Sequence, residues 1–343
     1  MRLGVAGLTH GHVWGLIDSW EQAADVELAA VADRTPLLER AKARFARCYS
    51  DWPDMLDKEV LDALLVTSDN VESAEICVEA LGRGLPCMVE KPMAANARDA
   101  DRMLEAQASS GALLMINWPT AWRPAYLALA AEIQKGTIGR PFHCRTRMGH
   151  YGPREIGCDE WFVGWLYDER LNGGGASADF CGYGAVLCRW LFGAPSSVSC
   201  VRGNYTKDYE VCDDHALMTL TYPRMSAAIE GTWATKGFDS GPGVVVHGEE
   251  GTLAIYEEKR LLLHRPGNAE ELATADSGPT LRDGTRAVSA GPARYFLDRL
   301  ASGDEPEGML SPLISADAVR IVEAGLRASD SGCAESIYAQ NVT

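Results

Sequence analysis

Residues 2–33 read RLGVAGLTHGHVWGLIDSWEQAADVELAAVAD, and this stretch decides the fold of the first part of the chain. A short apolar run at residues 3–6 enters a glycine-containing turn, and apolar residues then recur at helical spacing between residues 13 and 24. A second apolar run, residues 26–32, ends at Asp33. A strand, a crossover helix and a second strand in this order are typical of a parallel βαβ unit.

The same pattern continues beyond Asp33. Apolar runs at residues 63–66, 87–89 and 113–116 predict further strands, and each gap between them contains a helical repeat of apolar residues. Strands that alternate with crossover helices form a doubly wound parallel sheet. We therefore predict a Rossmann-type domain over residues 1–120.

Residues 121–343 have a different texture. Helices are predicted at about 122–135 and 177–192, with a strand at 142–148 and an irregular Gly- and Trp-rich stretch at 149–175 between them. From residue 197 onward, short alternating runs separated by tight turns predict a sequence of strands, followed by an exposed loop at 267–286 and two helices, 292–301 and 315–329. The prediction is an α/β domain with an open, mostly antiparallel sheet.

Composition excludes several classes of function. The net charge of −16 argues against a nucleic-acid surface and against docking on an anionic membrane. The ten cysteines include no C-x-x-C pair, so no zinc or redox motif is indicated and a reducing cytoplasm fits best. No stretch has the length and apolarity of a signal peptide or a membrane span. We expect a two-domain cytoplasmic protein, since 343 residues exceed one ordinary core.

The turn after the first strand is a candidate dinucleotide site, because the pyrophosphate of such a cofactor binds at the helix N-terminus that follows. Gly7-Leu8-Thr9-His10-Gly11-His12 departs from G-x-G-x-x-G, since Thr9 and His12 replace the second and third glycines. Taken alone, the turn equally fits a strand-to-helix connection without a ligand.

Asp33 strengthens the cofactor interpretation. A carboxylate at the end of the second strand can accept hydrogen bonds from the adenosine ribose and repel a 2′-phosphate, which favours NAD over NADP. Arg34 beside it could instead accommodate that phosphate, and Asp33 could serve only as a helix-capping acid.

Two later motifs carry candidate catalytic residues. Glu90-Lys91-Pro92 lies at the carboxyl end of a predicted parallel strand, where a lysine can stabilise a developing alkoxide and the proline can be cis. In the helix after Gly173-Gly174-Gly175, Asp179 and Tyr183 are four residues apart and share a face. The plain alternatives are a solvated surface lysine, a first-turn helix acid and a packed core tyrosine.

These features, in this order along the whole chain, resemble the Gfo/Idh/MocA family of sugar and polyol oxidoreductases. The resemblance implies an active site in the cleft between the two domains, with Lys91 as the catalytic lysine and Asp179 as a substrate-positioning residue. Most members carry His where this chain has Tyr183, and a subset similar to glucose–fructose oxidoreductase carries Tyr. The chain departs from the family at residues 67–69, where Thr-Ser-Asp replaces the frequent Thr-Pro-Asn, and at Ser73 and Val186.

The predicted site comprises two sets of residues. Those expected at the cofactor follow successive strands: Gly7, Leu8, Thr9, His10, His12, Asp33, Arg34, Thr67, Ser68, Glu90 and Lys91. Those expected at the substrate are His150, Trp165, Asp179 and Tyr183, although His150 and Trp165 could be structural. A metal cluster of His10, His12 and His150 is an alternative that the spacing does not support, so no metal is predicted.

The predicted function is hydride transfer between NAD, or less readily NADP, and a hydroxyl-bearing carbon of a sugar or polyol. Tyr183 would take the hydroxyl proton, its pKa lowered by the Lys91 cation. One alternative is a redox-neutral enzyme that retains NAD and oxidises its substrate transiently during elimination or epimerisation; another is a nucleotide-binding regulator without turnover. A homo-oligomer, dimer or tetramer, is expected through the sheet of residues 197–265.

Overall fold

The computed structural model describes residues 1–237, 241–274 and 291–338. It divides into two compact units. The first unit comprises Met1–Trp118, Gly157–Gly173 and Ala290–Ala316; the second comprises Pro119–Ile156, Gly174–Ser289 and Asp317–Thr343. The first boundary lies close to the predicted division at residue 120, but two later segments belong to the first unit.

The helices are numbered along the chain: α1 (Val13–Glu21), α2 (Leu37–Ala41), α3 (Trp52–Lys58), α4 (Asn70–Gly82), α5 (Ala97–Ser110), α6 (Pro124–Gln134), α7 (Glu160–Leu166), α8 (Glu169–Asn172), α9 (Gly182–Phe192), α10 (Gly291–Ser302) and α11 (Pro312–Ser331). A π-helical turn, Ser177–Cys181, leads directly into α9. No helix in the described part of the chain combines the length and the apolarity needed to cross a bilayer.

The first unit contains a sheet of six parallel strands: β1 (Arg2–Ala6), β2 (Glu27–Ala32), β3 (Arg47–Tyr49), β4 (Ala63–Val66), β5 (Cys87–Glu90) and β6 (Leu114–Asn117). Their order is β3-β2-β1-β4-β5-β6, so the winding reverses between β1 and β4. This arrangement confirms the doubly wound parallel sheet. Its switch point, at the carboxyl ends of β1 and β4, is where open α/β sheets bind ligands.

The later segments join the first unit through side chains that complete its core. Trp20 on α1 is fully buried and meets Phe296 of α10 edge-on, with ring centroids 5.6 Å apart. Trp118, which follows β6, donates its indole N–H to Ser315 Oγ at 3.0 Å. Sequence periodicity cannot reveal such long-range packing.

The second unit contains a sheet of nine strands: β7 (Pro141–Gly149), β8 (Ser197–Gly203), β9 (His215–Thr221), β10 (Ser226–Thr232), β11 (Val244–Gly248), β12 (Gly251–Tyr256), β13 (Arg260–Arg265), β14 (Asn268–Ala273) and β15 (Glu335–Ser336). Their order is β14-β13-β12-β11-β7-β10-β9-β8-β15. Only β7 and β10 are paired in parallel among the neighbours described, which confirms a mostly antiparallel sheet.

Alternation along β9 separates the two faces of this sheet. Ala216, Met218 and Leu220 are fully buried, whereas Leu217, Thr219 and Thr221 are exposed. On the buried face α9 lies close to the strands, since a Cβ added at Gly184 would meet the Ile229 side chain on β10 at 2.5 Å. At β9 the opposite face of the sheet is exposed.

The structure differs from the sequence prediction in several segments. The stretch 149–175, predicted as irregular, contains α7 and α8, whose first turns are capped by Asp159 and Asp168; their carboxylates accept from the N–H groups of Trp161 and Arg170 at 2.9 Å. Short capped helices are difficult to recognise in a Gly-rich segment. The predicted loop 267–286 begins with β14, and residues 275–286 of it lie outside the described residues. Strand β3 and helix α3 were not predicted.

Candidate cofactor and catalytic site

The turn after β1 is held against the loop after β4. Gly7 has φ of +82°, and a Cβ at this position would lie 2.6 Å from the backbone N of Ser68. The Thr67 hydroxyl donates to the Gly7 carbonyl at 2.5 Å, and Gly7 N–H donates to the Ala32 carbonyl at 2.9 Å. A glycine is therefore required, because any side chain would overlap the neighbouring backbone.

Asp33 joins this turn to the start of α2. Its Oδ2 accepts from Leu8 N–H at 2.6 Å, and its Oδ1 accepts from the backbone N–H of Thr35 at 2.6 Å and from the Thr35 hydroxyl. The carboxylate is buried, with 6% of its residue surface exposed. Asp33 thus holds the turn together, but it is not the cap of α2, whose N-cap residue is Pro36. It also borders the cavity described next, and its contact with a ribose stays a prediction.

A cavity of about 470 Å³ lies at the carboxyl edge of the parallel sheet. Its lining belongs entirely to the first unit and includes residues that follow β1, β2, β3 and β4, together with residues of α7: Gly7, Thr9, Asp33, Arg34, Asp51, Trp52, Ser68, Asp69, Glu72, Glu160, Trp161 and Trp165. Its volume lies in the range typical of small-molecule sites. Five of the residues predicted at the cofactor therefore line one cavity.

Trp165 is predicted at the substrate, but the structure assigns it to this cavity. Its indole Nε1 lies 3.4 Å from the Thr9 carbonyl, and its ring centroid is 5.9 Å from that of His10. Helix α7 packs with the first unit, so Trp165 borders the same space as Gly7 and Asp33. This position favours contact with a cofactor.

His10, His12 and Glu90 form a hydrogen-bonded network behind the turn. His12 is the N-cap residue of α1, and its Nδ1 lies 3.0 Å from Glu90 Oε2. His10 Nε2 lies 3.2 Å from the Lys91 carbonyl, and His10 Nδ1 accepts from the His12 backbone N–H at 3.2 Å. Asn117, at the end of β6, donates to the other oxygen of Glu90.

Burial sets the charge state of His10, whereas the partners of Glu90 set the charge state of that carboxyl group. It lowers the pKa of His10 from 6.5 to about 3, against the attraction of Glu90, so His10 is neutral at pH 7. Burial alone would raise the pKa of Glu90, but the imidazoles of His12 and His10 and the hydrogen bonds from His12 and Asn117 lower it to about 2. The pair is therefore a neutral histidine beside an ionised carboxylate.

The same three side chains are close enough to be considered as metal ligands, with their donor atoms within 4.8 Å of one another. A carbonyl oxygen can only accept, so the contact with Lys91 puts the ring proton of neutral His10 on Nε2. His10 Nδ1 already accepts from a backbone N–H, which leaves neither ring nitrogen of His10 available for an ion. The absence of a bound metal remains a prediction.

Lys91 follows β5 and is buried, with 4% of its surface exposed. Its peptide bond to Pro92 is cis, and its backbone N–H donates to Glu90 Oε2 at 3.1 Å. Burial does not agree with the alternative of a solvated surface lysine, because such side chains are rarely buried without a partner or a role. Lys91 belongs to the first unit, whereas Asp179 and Tyr183 belong to the second.

The glycine-rich turn before Asp179 is fixed by Asp213. The Asp213 carboxylate accepts from the N–H and hydroxyl of Ser177 at 2.8 and 2.7 Å, and from Gly175 N–H at 3.3 Å. A side chain at Gly175 would overlap the Asp213 carbonyl oxygen. Asp179 therefore lies in a π-helical turn instead of the regular α-helix that the sequence predicts, a feature often found at functional sites.

Both candidate catalytic residues of this segment are buried, with 6% of Asp179 and 8% of Tyr183 exposed. Asp179 Oδ2 accepts from the indole N–H of Trp233 at 3.0 Å, which fixes the carboxylate. The ring of Phe180 is close to those of Tyr183 and His150. The ring centroids are 6.1 Å apart for Phe180 and Tyr183 and 5.0 Å apart for Phe180 and His150.

His150 follows β7 and lines a second cavity of about 480 Å³ with Tyr126, Arg147 and Thr232. Its Nδ1 accepts from Gly152 N–H at 3.0 Å, so this ring nitrogen is already engaged. Burial, with the nearby Glu258 and Tyr183, raises the pKa of Tyr126, which therefore keeps its proton.

Sequence reasoning missed several residues of the first cavity, among them Trp52 and Glu72. Glu72 lies in the first turn of α4, three residues after Asp69, whose Oδ1 accepts its N–H at 2.9 Å. Such a D-x-x-E spacing is typical of a helix start and carries no sign of a ligand site. Asn117, by contrast, could have been found as a polar residue at the end of a buried strand.

Comparison with solved structures supports this architecture. The chain superposes on an oxidoreductase from Agrobacterium radiobacter, in complex with NAD⁺, L-tartaric acid and magnesium, with a TM-score of 0.81, 19% identity and 98% coverage of both chains. It superposes on levoglucosan dehydrogenase, in complex with NADH and levoglucosan, with a TM-score of 0.80, 18% identity and coverage of 98% of this chain and 100% of that one. At these identities the likeness concerns the fold.

Similarity in sequence extends to characterised dehydrogenases. The NADP⁺-dependent scyllo-inositol 2-dehydrogenase IolU of Bacillus subtilis is 28% identical over 278 residues, 76% of this chain and 80% of that protein. The levoglucosan dehydrogenase of Pseudarthrobacter phenanthrenivorans is 25% identical over 308 residues, 82% of this chain and 76% of that protein.

Family models match both parts of the chain. The model of an oxidoreductase family with an NAD-binding Rossmann fold matches residues 1–118, and the model of the GFO/IDH/MocA C-terminal domain matches residues 126–254. The fold, the cavity at the switch point and these matches agree. The chain therefore belongs to the Gfo/Idh/MocA family of oxidoreductases.

Proposed function

We propose that the protein is an NAD-dependent dehydrogenase acting on a hydroxyl-bearing carbon of a sugar, a polyol or a sugar derivative. The observation that carries this proposal is a buried lysine, Lys91, at the same sheet edge as a cavity built by the glycine turn and Asp33. Relatives named for scyllo-inositol and levoglucosan support polyhydroxylated rings as the substrate class.

The cavity fits a dinucleotide. The turn at Gly7 leaves no room for a side chain, and the N-terminus of α1 follows it, as anion binding requires. Asp33 and Ser68 would contact the adenosine end, and Trp161 and Trp165 offer aromatic surfaces for stacking. The cofactor, when bound, supplies the hydride chemistry.

The chain's own residues would handle the proton and the developing charge. Tyr183 would exchange the proton of the substrate hydroxyl, and Lys91 would stabilise the oxygen and favour the phenolate. Asp179, fixed by Trp233, would hold a neighbouring hydroxyl. Neither Tyr126, whose pKa is raised, nor His150, whose Nδ1 is engaged, is as well suited to accept a proton.

The test of these roles uses Lys91→Met, Tyr183→Phe and the double variant. General acid–base and electrostatic terms each contribute typically about 10²–10⁴-fold, so each single change should lower kcat at least about a hundredfold and alter NADH affinity far less. The loss of kcat in the double variant should be much smaller than the product of the two single losses, because the two residues act as one unit. A single variant with near-native kcat at saturating substrate would contradict the roles.

A second measurement separates the proposal from its alternatives. The native protein, given NAD⁺ and a panel of inositols, anhydrosugars and aldoses, should release NADH in proportion to substrate oxidised. Product formation without net NADH would indicate a redox-neutral cycle, and cofactor binding without turnover on any polyol would indicate a regulator.

We also infer a reducing compartment, such as the cytoplasm. None of the ten cysteines forms a disulfide, and five of them are buried within the units. Disulfides persist mainly in oxidising compartments, so ten cysteines without a disulfide support this location.

A further inference from the structure

Arg34 is the side chain of this cavity whose charge suits a 2′-phosphate. It is the only cationic side chain among the described residues that line the cavity. An arginine at this position can bind a phosphate through paired N–H donors, but only if its own charge is not already neutralised. In the structure Arg34 Nη2 lies 3.3 Å from Glu72 Oε1.

Glu72 is itself firmly held. Its Oε1 accepts from the indole N–H of Trp52 at 3.3 Å, and its Oε2 accepts from the Ser68 hydroxyl. Only 25% of its side chain is exposed, compared with 66% for Arg34. The carboxylate thus links segments that follow β2, β3 and β4.

The charge of the whole cavity also disfavours a phosphate. Its lining carries one guanidinium and five carboxylates: Asp33, Asp51, Asp69, Glu72 and Glu160. A phosphate monoester has a charge of roughly −1.5 to −2 at pH 7. A 2′-phosphate bound at Arg34 would compete with Glu72 for the guanidinium, and the Glu72 carboxylate would repel the phosphate beside it.

We propose that Glu72 is a specificity-determining residue that excludes NADP(H) by neutralising Arg34 at the adenosine end of the cavity. This inference rests on the proposed NAD-dependent function. It assigns the selectivity to a residue of α4, whereas Asp33 is the residue that the sequence suggests. Asp33 is less suited to set cofactor selectivity, because its carboxylate also accepts from the N–H groups of Leu8 and Thr35. Its replacement would disturb the turn.

The test is Glu72→Gln, which preserves the shape of the side chain and removes its charge. The ratio of the dissociation constants for NADPH and NADH, measured by titration of the purified full-length protein, should fall at least about tenfold, chiefly through tighter NADPH binding. The gain should weaken with added salt, because it rests on a charge. The matched control is Glu75→Gln, an exposed residue of the same helix, which should leave the ratio within about threefold of native.

The double variant Glu72→Gln/Arg34→Gln tests whether Arg34 is the group that binds the phosphate. This variant should lose the gain in NADPH affinity. An unchanged ratio in Glu72→Gln, or a gain that persists without Arg34, would overturn the inference. Tighter binding of NADPH than NADH by the native chain would overturn it as well and leave the dehydrogenase proposal intact. A native chain that binds neither nucleotide would instead contradict the proposed function.

Discussion

His10 shows how a single buried residue can make this fold sensitive to acid. The histidine is fully enclosed between the glycine turn and β5, and burial lowers its pKa to about 3. In the unfolded chain the same group should titrate near 6.5. As the pH falls below 6.5, the unfolded chain binds a proton that the folded chain refuses, so the free energy of unfolding decreases.

We therefore expect the stability of the protein to fall as the pH is lowered. His10 should contribute a slope of up to about 1.4 kcal/mol per pH unit between roughly pH 6.5 and 3. Glu90 acts in the same direction at lower pH, because its pKa is lowered to about 2 and its stabilisation is lost as the pH falls from 4.5 toward 2. Thermal unfolding followed between pH 7.5 and 4.5 should therefore show a falling Tm.

The variant His10→Gln should flatten this dependence, since its amide can still donate to the Lys91 carbonyl and carries no titrating ring. His143→Gln, a half-buried histidine of β7, controls for the loss of a histidine elsewhere. Equal pH slopes for the native protein and His10→Gln would exclude His10 as the source of acid sensitivity.

At the scale of elements, the sequence predicts strands better than it predicts the site. The strands β1, β2, β4 and β5 are buried apolar runs between turn residues, and their positions agree with the structure to within one or two residues. Asp33, Glu90 and Lys91 could be found because they follow such strands directly.

The rest depends on contacts between distant parts of the chain. The π-helical turn at Asp179 is fixed by Asp213, which belongs to a later loop. Trp165 lines the first cavity because α7 packs with the first unit, and an aromatic residue in a Gly-rich segment gives no sign of which surface it covers. Glu72 acquires its significance only from Trp52, Ser68 and Arg34.

The turn before Asp179 allows a test of positioning by an element. Gly175→Ala would push a methyl group into the Asp213 backbone, and overpacking of this kind costs typically about 1–3 kcal/mol. We expect a lower free energy of unfolding for the second unit in chemical denaturation and a reduced kcat, with NADH affinity retained because the first cavity belongs to the other unit.

The matched control is Gly82→Ala. This exposed glycine ends α4, and a Cβ there meets no atom within 4 Å. Replacing a helical glycine by alanine should be neutral or stabilising by up to about 1 kcal/mol. Equal effects of the two substitutions would mean that the turn does not depend on the absence of a side chain at residue 175.

At the scale of the whole molecule, the nine-stranded sheet exposes large apolar side chains on one face at β8 and β9. On this face Val201 of β8 pairs in register with Leu217 of β9, and they are 65% and 44% exposed. Large apolar side chains gathered on one sheet face mark an interaction surface more often than chance exposure does.

We therefore keep the prediction that the protein is a homo-oligomer, and we assign its interface to this face. Sedimentation at micromolar protein and neutral pH should give a dimer or tetramer. Leu217→Glu should shift the distribution toward the monomer, because a carboxylate buried in an apolar interface without a partner is strongly unfavourable. Val60→Glu provides the control, since Val60 is 81% exposed in the first unit and should tolerate the charge without a change of assembly. A native chain that sediments strictly as a monomer would contradict the prediction, and an oligomer that persists in Leu217→Glu would move the interface to another surface.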